Sequence, residues 1–339
     1  MEFSLGQYCT KVRFSSGLPS MQIEGSWLCV EDTHTATLFP QEIKRTLVLP
    51  AGEQAKQWEQ VEQILSCALD LGLDRSSIFV GIGGGVVCDV TAFAASLYMR
   101  GTRLLLVPTT LLAMVDAAFG GKTGINFKQY KNMVGTFYPA EEIWIYPEVL
   151  KTLPERELRS GMAEVVKAGM LKDPELFSLL EGLGEHWIHQ ISTDMFLSII
   201  SKALKVKGWF VSNDLREQAD RAFLNLGHTF AHSLERATHY KRFTHGEAVA
   251  WGLFRALDTG EHLGVTNPTY AERVRKLLRR LGFSEKVEGV GVEVLLAGME
   301  KDKKKRGELR FVLQKNLGET FLTSLDKKLL KEIIQIGII

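Results

Sequence analysis

The chain has 339 residues, of which 45% are hydrophobic and 24% charged, the proportions of an ordinary globular protein. Forty-one basic side chains against forty acidic ones leave a net charge of +1, which provides no broad field for a nucleic acid or an anionic membrane, so any anion is bound locally. The length exceeds what one hydrophobic core usually supports and points to two domains.

The opening MEFSLGQYCT lacks a basic segment followed by an apolar one, so no secretion signal is expected. Cys9, Cys29, Cys67 and Cys88 contain no C-x-x-C pair and suggest neither a zinc ribbon nor a disulfide framework; reduced thiols and a cytoplasmic setting are the simplest reading. Short β-branched apolar runs predict strands at Trp27–Val30, Thr46–Leu49, Ile78–Ile82, Leu104–Val107 and Ile143–Tyr146. Helical spacing of apolar residues predicts helices at about 57–70 and 86–98, and strand and helix in alternation imply a parallel sheet covered by helices. The apolar run at 104–115 is broken by Pro108 and two threonines, so no membrane span is expected.

Within this half, SIFVGIGGGVVCDV reads as a buried strand running into three glycines and then a helix. A parallel α/β sheet holds a phosphate or pyrophosphate at such a place, because bare backbone approaches it and the helix start supplies N–H donors. Val86 stands where a dinucleotide fingerprint has its third glycine or alanine, and a purely structural turn is the alternative. PTTLLAMVDAAFGGKTGIN ends like a Walker A motif, but Asp116 occupies the position of its first glycine and would repel a nucleotide phosphate. A P-loop is rejected, while Lys122 and Lys131 stay as cations able to hold a smaller phosphate.

After Leu153-Pro154 the pattern changes to long helical segments, as in ELRSGMAEVVKAGML, DMFLSIISKALKVKGWFV and EAVAWGLFRALDTGEHLG, so a boundary is set between residues 1–153 and 154–339. LNLGHTFAHSLE puts His228 and His232 four apart on one helical face, the spacing of two metal ligands. Thr229 stands where a zinc protease has its glutamate base, which removes the protease reading; the pair is either metal-binding or packs on the helix. The run KDKKKR at 301–306 reads as a solvated turn, and the closing KEIIQIGII is apolar enough to dock on the body of the protein.

Taken together, PAGEQAK, GGGVVCD, YMRG, PTTLLAMVDAAFGGKTGIN, KNMVGTF, LKTLPERELRSGMAEVVK, NLGHTFAHSLE, HGEAVAWG and DKK, in this order across about 30 to 310, resemble the 3-dehydroquinate synthases of the sugar-phosphate cyclase superfamily, enzymes of the shikimate pathway. The resemblance implies an N-terminal Rossmann-like NAD-binding α/β domain, a mainly helical C-terminal domain that binds metal and substrate, and an active site in a cleft between them. It implies a cytoplasmic homodimer with one NAD and one Zn2+ or Co2+, acting on a small phosphorylated sugar acid, with no nucleic-acid or membrane partner. The implied reaction turns 3-deoxy-D-arabino-heptulosonate 7-phosphate into 3-dehydroquinate and phosphate by transient oxidation, elimination, reduction and intramolecular aldol closure.

Carried over residue by residue, the metal ligands fall on Glu164, His228 and His245, a set with open positions for substrate hydroxyls. NAD contacts fall on Ala51, Gly52, Glu53, Gln54, Ala55 and Lys56; on Gly84, Gly85, Val86, Val87, Cys88 and Asp89; on Thr109 and Thr110; and on Val149, Leu150, Lys151 and Thr152. Lys122 and Lys131 are shared with substrate, and Asp32, after the first predicted strand, is assigned to a ribose hydroxyl. Substrate contacts fall on Arg100, Asp116, Asn132, Lys167, Lys207, Glu217, Arg221, Asn225 and His232, with one lysine, Lys303 or Lys304, of the Asp302-Lys303-Lys304 turn. In this scheme His232 leaves the metal to His228 and relays protons on the substrate side. The chain departs from the family where Cys88 and Ala92 replace usual glycines, a change in packing behind the glycine loop. Rival readings are another sugar-phosphate cyclase, whose relatives tend to differ at Lys207, Asn225 and His232; a metal-dependent polyol dehydrogenase; and a non-catalytic NAD-binding scaffold.

Overall fold

In a computed structural model of the chain, residues 1–15, 25–38, 45–128, 130–217, 219–306 and 309–339 are described, the side chains of 300–306 excepted. Two compact units emerge: Met1–Pro154 with Ser192–Ile200 and Val211–Arg216, and Glu155–Ile191 with Ser201–Phe210 and Glu217–Ile339.

The first unit is built on seven strands: β1 (Glu2–Leu5), β2 (Tyr8–Phe14), β3 (Trp27–Asp32), β4 (Thr46–Leu49), β5 (Ile78–Gly83), β6 (Arg103–Pro108) and β9 (Glu142–Ile145), in the order β1-β2-β9-β6-β5-β3-β4. All neighbours run parallel except the β1–β2 hairpin at one edge. A separate short hairpin pairs β7 (Ile125–Phe127) with β8 (Tyr130–Val134). Phe79, Val80 and Ile82 are fully buried, as expected of a strand covered on both faces. Helix α1 (Trp58–Asp70) buries one stripe, Val61, Ile64 and Ala68, whereas α2 (Gly85–Leu97) is buried on nearly every side. From β3 the chain moves outward to β4 and then returns to β5 on the other side of β3. That reversal makes the carboxyl ends of β3 and β5 a topological switch point, where α/β sheets bind ligands.

The second unit is mainly helical: α3 (Glu155–Lys172), α4 (Pro174–Glu181), α5 (Trp187–Gln190), part of α6 (Thr193–Asn213), α7 (His228–Ala237), α8 (His245–His262), α9 (Pro268–Arg280), α10 (Val292–Arg306) and α11 (Lys327–Ile336), with one antiparallel hairpin, β10 (Phe311–Gln314) and β11 (Thr320–Thr323). Helix α8 packs against both α3 and α7. The approach to α3 requires glycine at 246, where a Cβ would stand 1.9 Å from the Ser160 carbonyl oxygen; the Gly246 N–H donates to Ser160 Oγ at 3.0 Å. The closing segment docks as helix α11, capped by Asp326, burying Leu329, Leu330, Ile333 and Ile334. Beyond it, the Gly337 carbonyl accepts from Trp251 Nε1 of α8 at 3.0 Å.

The fold class is as expected, with two corrections of detail. The first-unit sheet is mixed, because β1 and β2 form a half-exposed edge hairpin with too little apolar alternation to stand out. The lysine run at 301–306 is the C-terminal end of α10 rather than a turn between elements, since Lys and Arg are good helix formers and no glycine or proline interrupts them before 307. Among the described residues, no helix is long and apolar enough to cross a membrane.

Candidate metal centre and cofactor loop

Three elements of the second unit converge on one buried carboxylate. Glu164 lies in the buried stretch of α3; His228 opens α7; His245 opens α8. Gly227 turns the chain into α7 in the left-handed conformation (φ 79°), and its carbonyl lies so near α8 that a Cβ on Gly252 would come within 2.0 Å of it. His245 is fixed from the other side by a capping box, in which Thr244 and Glu247 exchange hydrogen bonds, and Arg156 of α3 grips the Glu247 carboxylate with both nitrogens at 2.9 and 2.7 Å.

Glu164 Oε1 lies 3.4 Å from His228 Nε2 and 3.5 Å from His245 Nε2, and it is buried with no hydrogen-bond partner. Leaving such an oxygen bare is costly, so the site calls for a cation. Two ligands each ~2.1 Å from a tetrahedral ion stand about 3.4 Å apart, so the observed spacings fit a zinc-sized ion. The ligand atoms of all three residues lie within 4.8 Å of one another. The other oxygen of Glu164 pairs with Lys167 Nζ at 2.6 Å, and that ammonium also donates to the Leu224 carbonyl at 2.6 Å.

Burial disfavours the Glu164 charge, but Lys167 and the two histidines outweigh it and hold the carboxyl well below its usual range. Burial and the Lys167 charge push the His228 imidazole well below its ordinary value, so its ring is neutral. Burial opposes charge on His245 too, yet the Glu164 and Glu235 carboxylates prevail and raise it to about 10. Each histidine has a partner on its far nitrogen: His228 Nδ1 faces the Leu226 carbonyl at 3.3 Å, and His245 Nδ1 faces Glu235 Oε1 at 3.3 Å. With Nδ1–H donating in this way, neutral His228 presents its Nε2 lone pair toward Glu164, whereas His245 keeps a proton on Nε2 that a metal ion would displace.

His232 sits one turn beyond His228 with the rings perpendicular and 5.4 Å apart, and it is not part of the three-ligand group. Lys207 and Arg221 are buried in the same unit, and Asn225 donates its amide to Glu217 Oε1. The side chains of Lys303 and Lys304 lie outside the described residues.

In the first unit, Gly84 is the N-cap of α2 and offers no side-chain cap, so it leaves the first N–H groups of the helix to other acceptors. The loop is tight: a Cβ on Gly84 would lie 3.2 Å from Thr110 Cγ2, and one on Gly85 would lie 3.2 Å from Ala117 Cβ. Val87 is buried while Val86 is partly open, and Cys88 packs inside with its thiol over the Gly83 carbonyl at 3.6 Å. Asp89, just past the first turn of α2, pairs with Lys56; burial nevertheless raises its carboxyl above the ordinary value. Residues Ala51 to Lys56 run through a short 3-10 turn and are tied to the β7–β8 hairpin: Glu53 Oε1 accepts from Asn126 Nδ2 at 2.8 Å and meets Lys131 Nζ at 3.4 Å. Asn132 adopts a left-handed backbone (φ 51°) whose N–H donates to Asn126 Oδ1 at 3.1 Å.

Thr109 donates its N–H to the Gly83 carbonyl at 2.9 Å, and the Thr110 hydroxyl accepts from Ala113 N at 3.1 Å, opening a π-helical turn over Ala113–Ala117 that carries Asp116. Such turns are rare and gather at functional sites, and nothing in the sequence pattern marks this one. Arg100 follows Met99 in two successive left-handed residues (φ 65° and 49°), a strained link between α2 and β6. Lys122 forms an isolated bridge with Phe137. Val149 and Leu150 are buried in a 3-10 turn whose end is closed by the Thr152 hydroxyl on the Val149 carbonyl, with Lys151 exposed between them. Asp32 uses Oδ1 to accept from His34 N and Thr35 N, which orders the turn beside the switch point.

The family description of the 3-dehydroquinate synthase N-terminal domain matches residues 46–160, and that of its C-terminal domain matches 161–305. A 3-dehydroquinate synthase from Picosynechococcus sp. is 42% identical over 281 residues, covering 82% of this chain and 77% of the relative. The chain belongs to the 3-dehydroquinate synthase family. Among solved structures, 2-epi-5-epi-valiolone synthase from Streptomyces hygroscopicus, with NAD+ and Zn2+ bound, superposes with a TM-score of 0.89 over 96% of both chains at 28% identity. A 2-deoxy-scyllo-inosose synthase shares the fold at a TM-score of 0.88 over 99% of both chains, with 24% identity. The chain combines a cluster of Glu164, His228 and His245 that could hold a metal with a glycine loop at the start of a helix.

Proposed function

We propose that this chain is a 3-dehydroquinate synthase, converting 3-deoxy-D-arabino-heptulosonate 7-phosphate to 3-dehydroquinate and inorganic phosphate with no net redox change. The observation that carries the reading is the cluster of Glu164, His228 and His245 around an orphaned carboxylate oxygen, in a member of this family. Identity of 42% to a 3-dehydroquinate synthase against 28% to the valiolone synthase favours this reaction over the related cyclisations.

Glu164, His228 and His245 would hold Zn2+ or Co2+, which would supply Lewis acidity to a substrate hydroxyl, and the glycine-loop residues would hold NAD, which would supply reversible hydride transfer. Glu164, His228 and His245 supply three N/O ligands and leave positions for substrate. Lys167 neutralises the Glu164 oxygen turned away from the histidines and is assigned to substrate as well. His232, beside the metal ligands but not among them, orients substrate and relays protons. Lys122, Lys131 and Asn132 are assigned to the phosphate; Lys207, Arg221 and Asn225, with Glu217 holding the Asn225 amide, to the carboxylate and hydroxyl end. Arg100, Asp116 and Lys303 or Lys304 complete the substrate set.

The NAD pyrophosphate is assigned to the backbone from Gly84 to Asp89 at the start of α2, with Ala51–Lys56, Thr109, Thr110 and Val149–Thr152 around it and Asp32 toward the ribose. A cytoplasmic setting, which four free cysteines suit, and a homodimer belong to the same reading. Purified protein given NAD, zinc and the heptulosonate phosphate is expected to release phosphate and form 3-dehydroquinate, and a chelator is expected to stop it. Turnover that is indifferent to metal removal would refute the assignment of the cluster.

A further inference from the structure

We infer that Glu235 is a positioning residue for the metal centre: its carboxylate holds the His245 ring so that Nε2 faces Glu164. The inference rests on the metal reading above and concerns a residue outside the three-ligand set. Glu235 lies two helical turns after His228, so one face of α7 delivers both a ligand and the group that orients the ligand of another helix. Its Oε1 stands 3.3 Å from His245 Nδ1, and the side chain is 8% exposed.

The two histidines are held in different ways. His228 leans on a neutral main-chain carbonyl, that of Leu226, whereas His245 leans on an anion. A carboxylate on the far nitrogen makes the imidazole a stronger donor and fixes its tautomer and ring plane, which a carbonyl does only in part. His245 also has more need of it, being 27% exposed at the side chain against 11% for His228 and hence less confined by packing. The C-terminal turn of α7 closes through the Glu235 main-chain carbonyl, which accepts from Tyr240 N, so a change at the carboxylate leaves that bond in place.

The test measures Zn2+ affinity by chelator competition, and the visible absorption of the Co2+-loaded protein, in wild type, Glu235→Gln, Glu235→Asp, His245→Ala and the Glu235→Gln/His245→Ala double variant, each checked for a cooperative thermal melt. Glu235→Gln is expected to weaken zinc roughly 10–100-fold and to shift the cobalt bands. Glu235→Asp, which keeps the charge, is expected to bind more tightly than the glutamine variant. Once His245 is alanine, Glu235→Gln is expected to cost nothing further. Unchanged affinity and cobalt spectrum in Glu235→Gln, or an equal loss in both backgrounds, would overturn the inference while leaving the metal site intact. A wild type that binds no zinc would overturn both.

Discussion

The glycine loop of the first unit and the three-ligand cluster of the second are both built to hold charge, but from opposite materials. At the loop, the groups on offer are main-chain N–H donors at the start of α2, and the residues that matter matter by what they lack: Gly84 and Gly85 have no side chain to crowd Thr110 and Ala117. In the cluster, the binding groups are ionisable side chains packed against one another, and each exists at the expense of burying charge that its neighbours must balance. A backbone site therefore fails when atoms are added, and a side-chain site fails when atoms or charges are taken away.

The largest effect is expected at the cluster. His245→Ala should abolish tight zinc binding and slow turnover about 1,000-fold or more, since a Lewis acid supplies several kcal/mol of transition-state stabilisation. NAD binding, followed by calorimetry, should persist; loss of NAD with the metal would break the contrast. His232→Ala should leave zinc content unchanged while lowering kcat about 100-fold, as for removal of a proton-relaying group. Loss of metal there would erase the distinction drawn between His228 and His232.

At the loop, Gly85→Val should weaken NAD by roughly 10–100-fold, the equivalent of 1–3 kcal/mol of overpacking, with zinc affinity unaltered. Protons give a subtler test. In the metal-free protein His245 is raised from its ordinary 6.5 to about 10, so the folded chain keeps a proton that the unfolded chain gives up. That contribution to stability is complete below 6.5 and disappears as pH climbs toward 10. Zinc must displace the same proton, so its binding should release about one proton and tighten about tenfold per pH unit across that window. Calorimetry in buffers of different ionisation enthalpy measures the release, and a value of zero would contradict the assignment. The smallest effect is expected for Ala92→Gly in the interior of α2, about 1 kcal/mol of stability read from the melting curve, with zinc affinity unchanged.

These two regions were also unequally legible. The loop could be read from consecutive residues, because a buried strand, three glycines and a helix are a local pattern with a local physical meaning. The strands around it were legible as well, within a residue or two, since β3, β5 and β6 are mostly buried and each carries an unbroken run of four or more apolar residues, glycine counted among them. The cluster was different: His228 and His232 suggested two ligands by spacing alone, whereas the convergence is of His228 with Glu164 and His245 from other helices. No spacing rule connects those three, and only the resemblance to a family brought them together. Glu235 could have been noticed as a carboxylate on the His228 face of α7, but its partner on α8 is a tertiary fact. The π-helical turn under Asp116 and the left-handed pair Met99 and Arg100 are set by packing and leave no pattern in the sequence.

The central claim, that the chain uses NAD as a recycled cofactor in a metal-dependent phosphate elimination, is tested most directly by supplying zinc-loaded protein with the heptulosonate phosphate and far less NAD than substrate. Phosphate and 3-dehydroquinate should form in many-fold excess over NAD, with no accumulation of NADH. Phosphate release that stops at one equivalent per NAD, or NADH that accumulates mole for mole with product, would contradict the account.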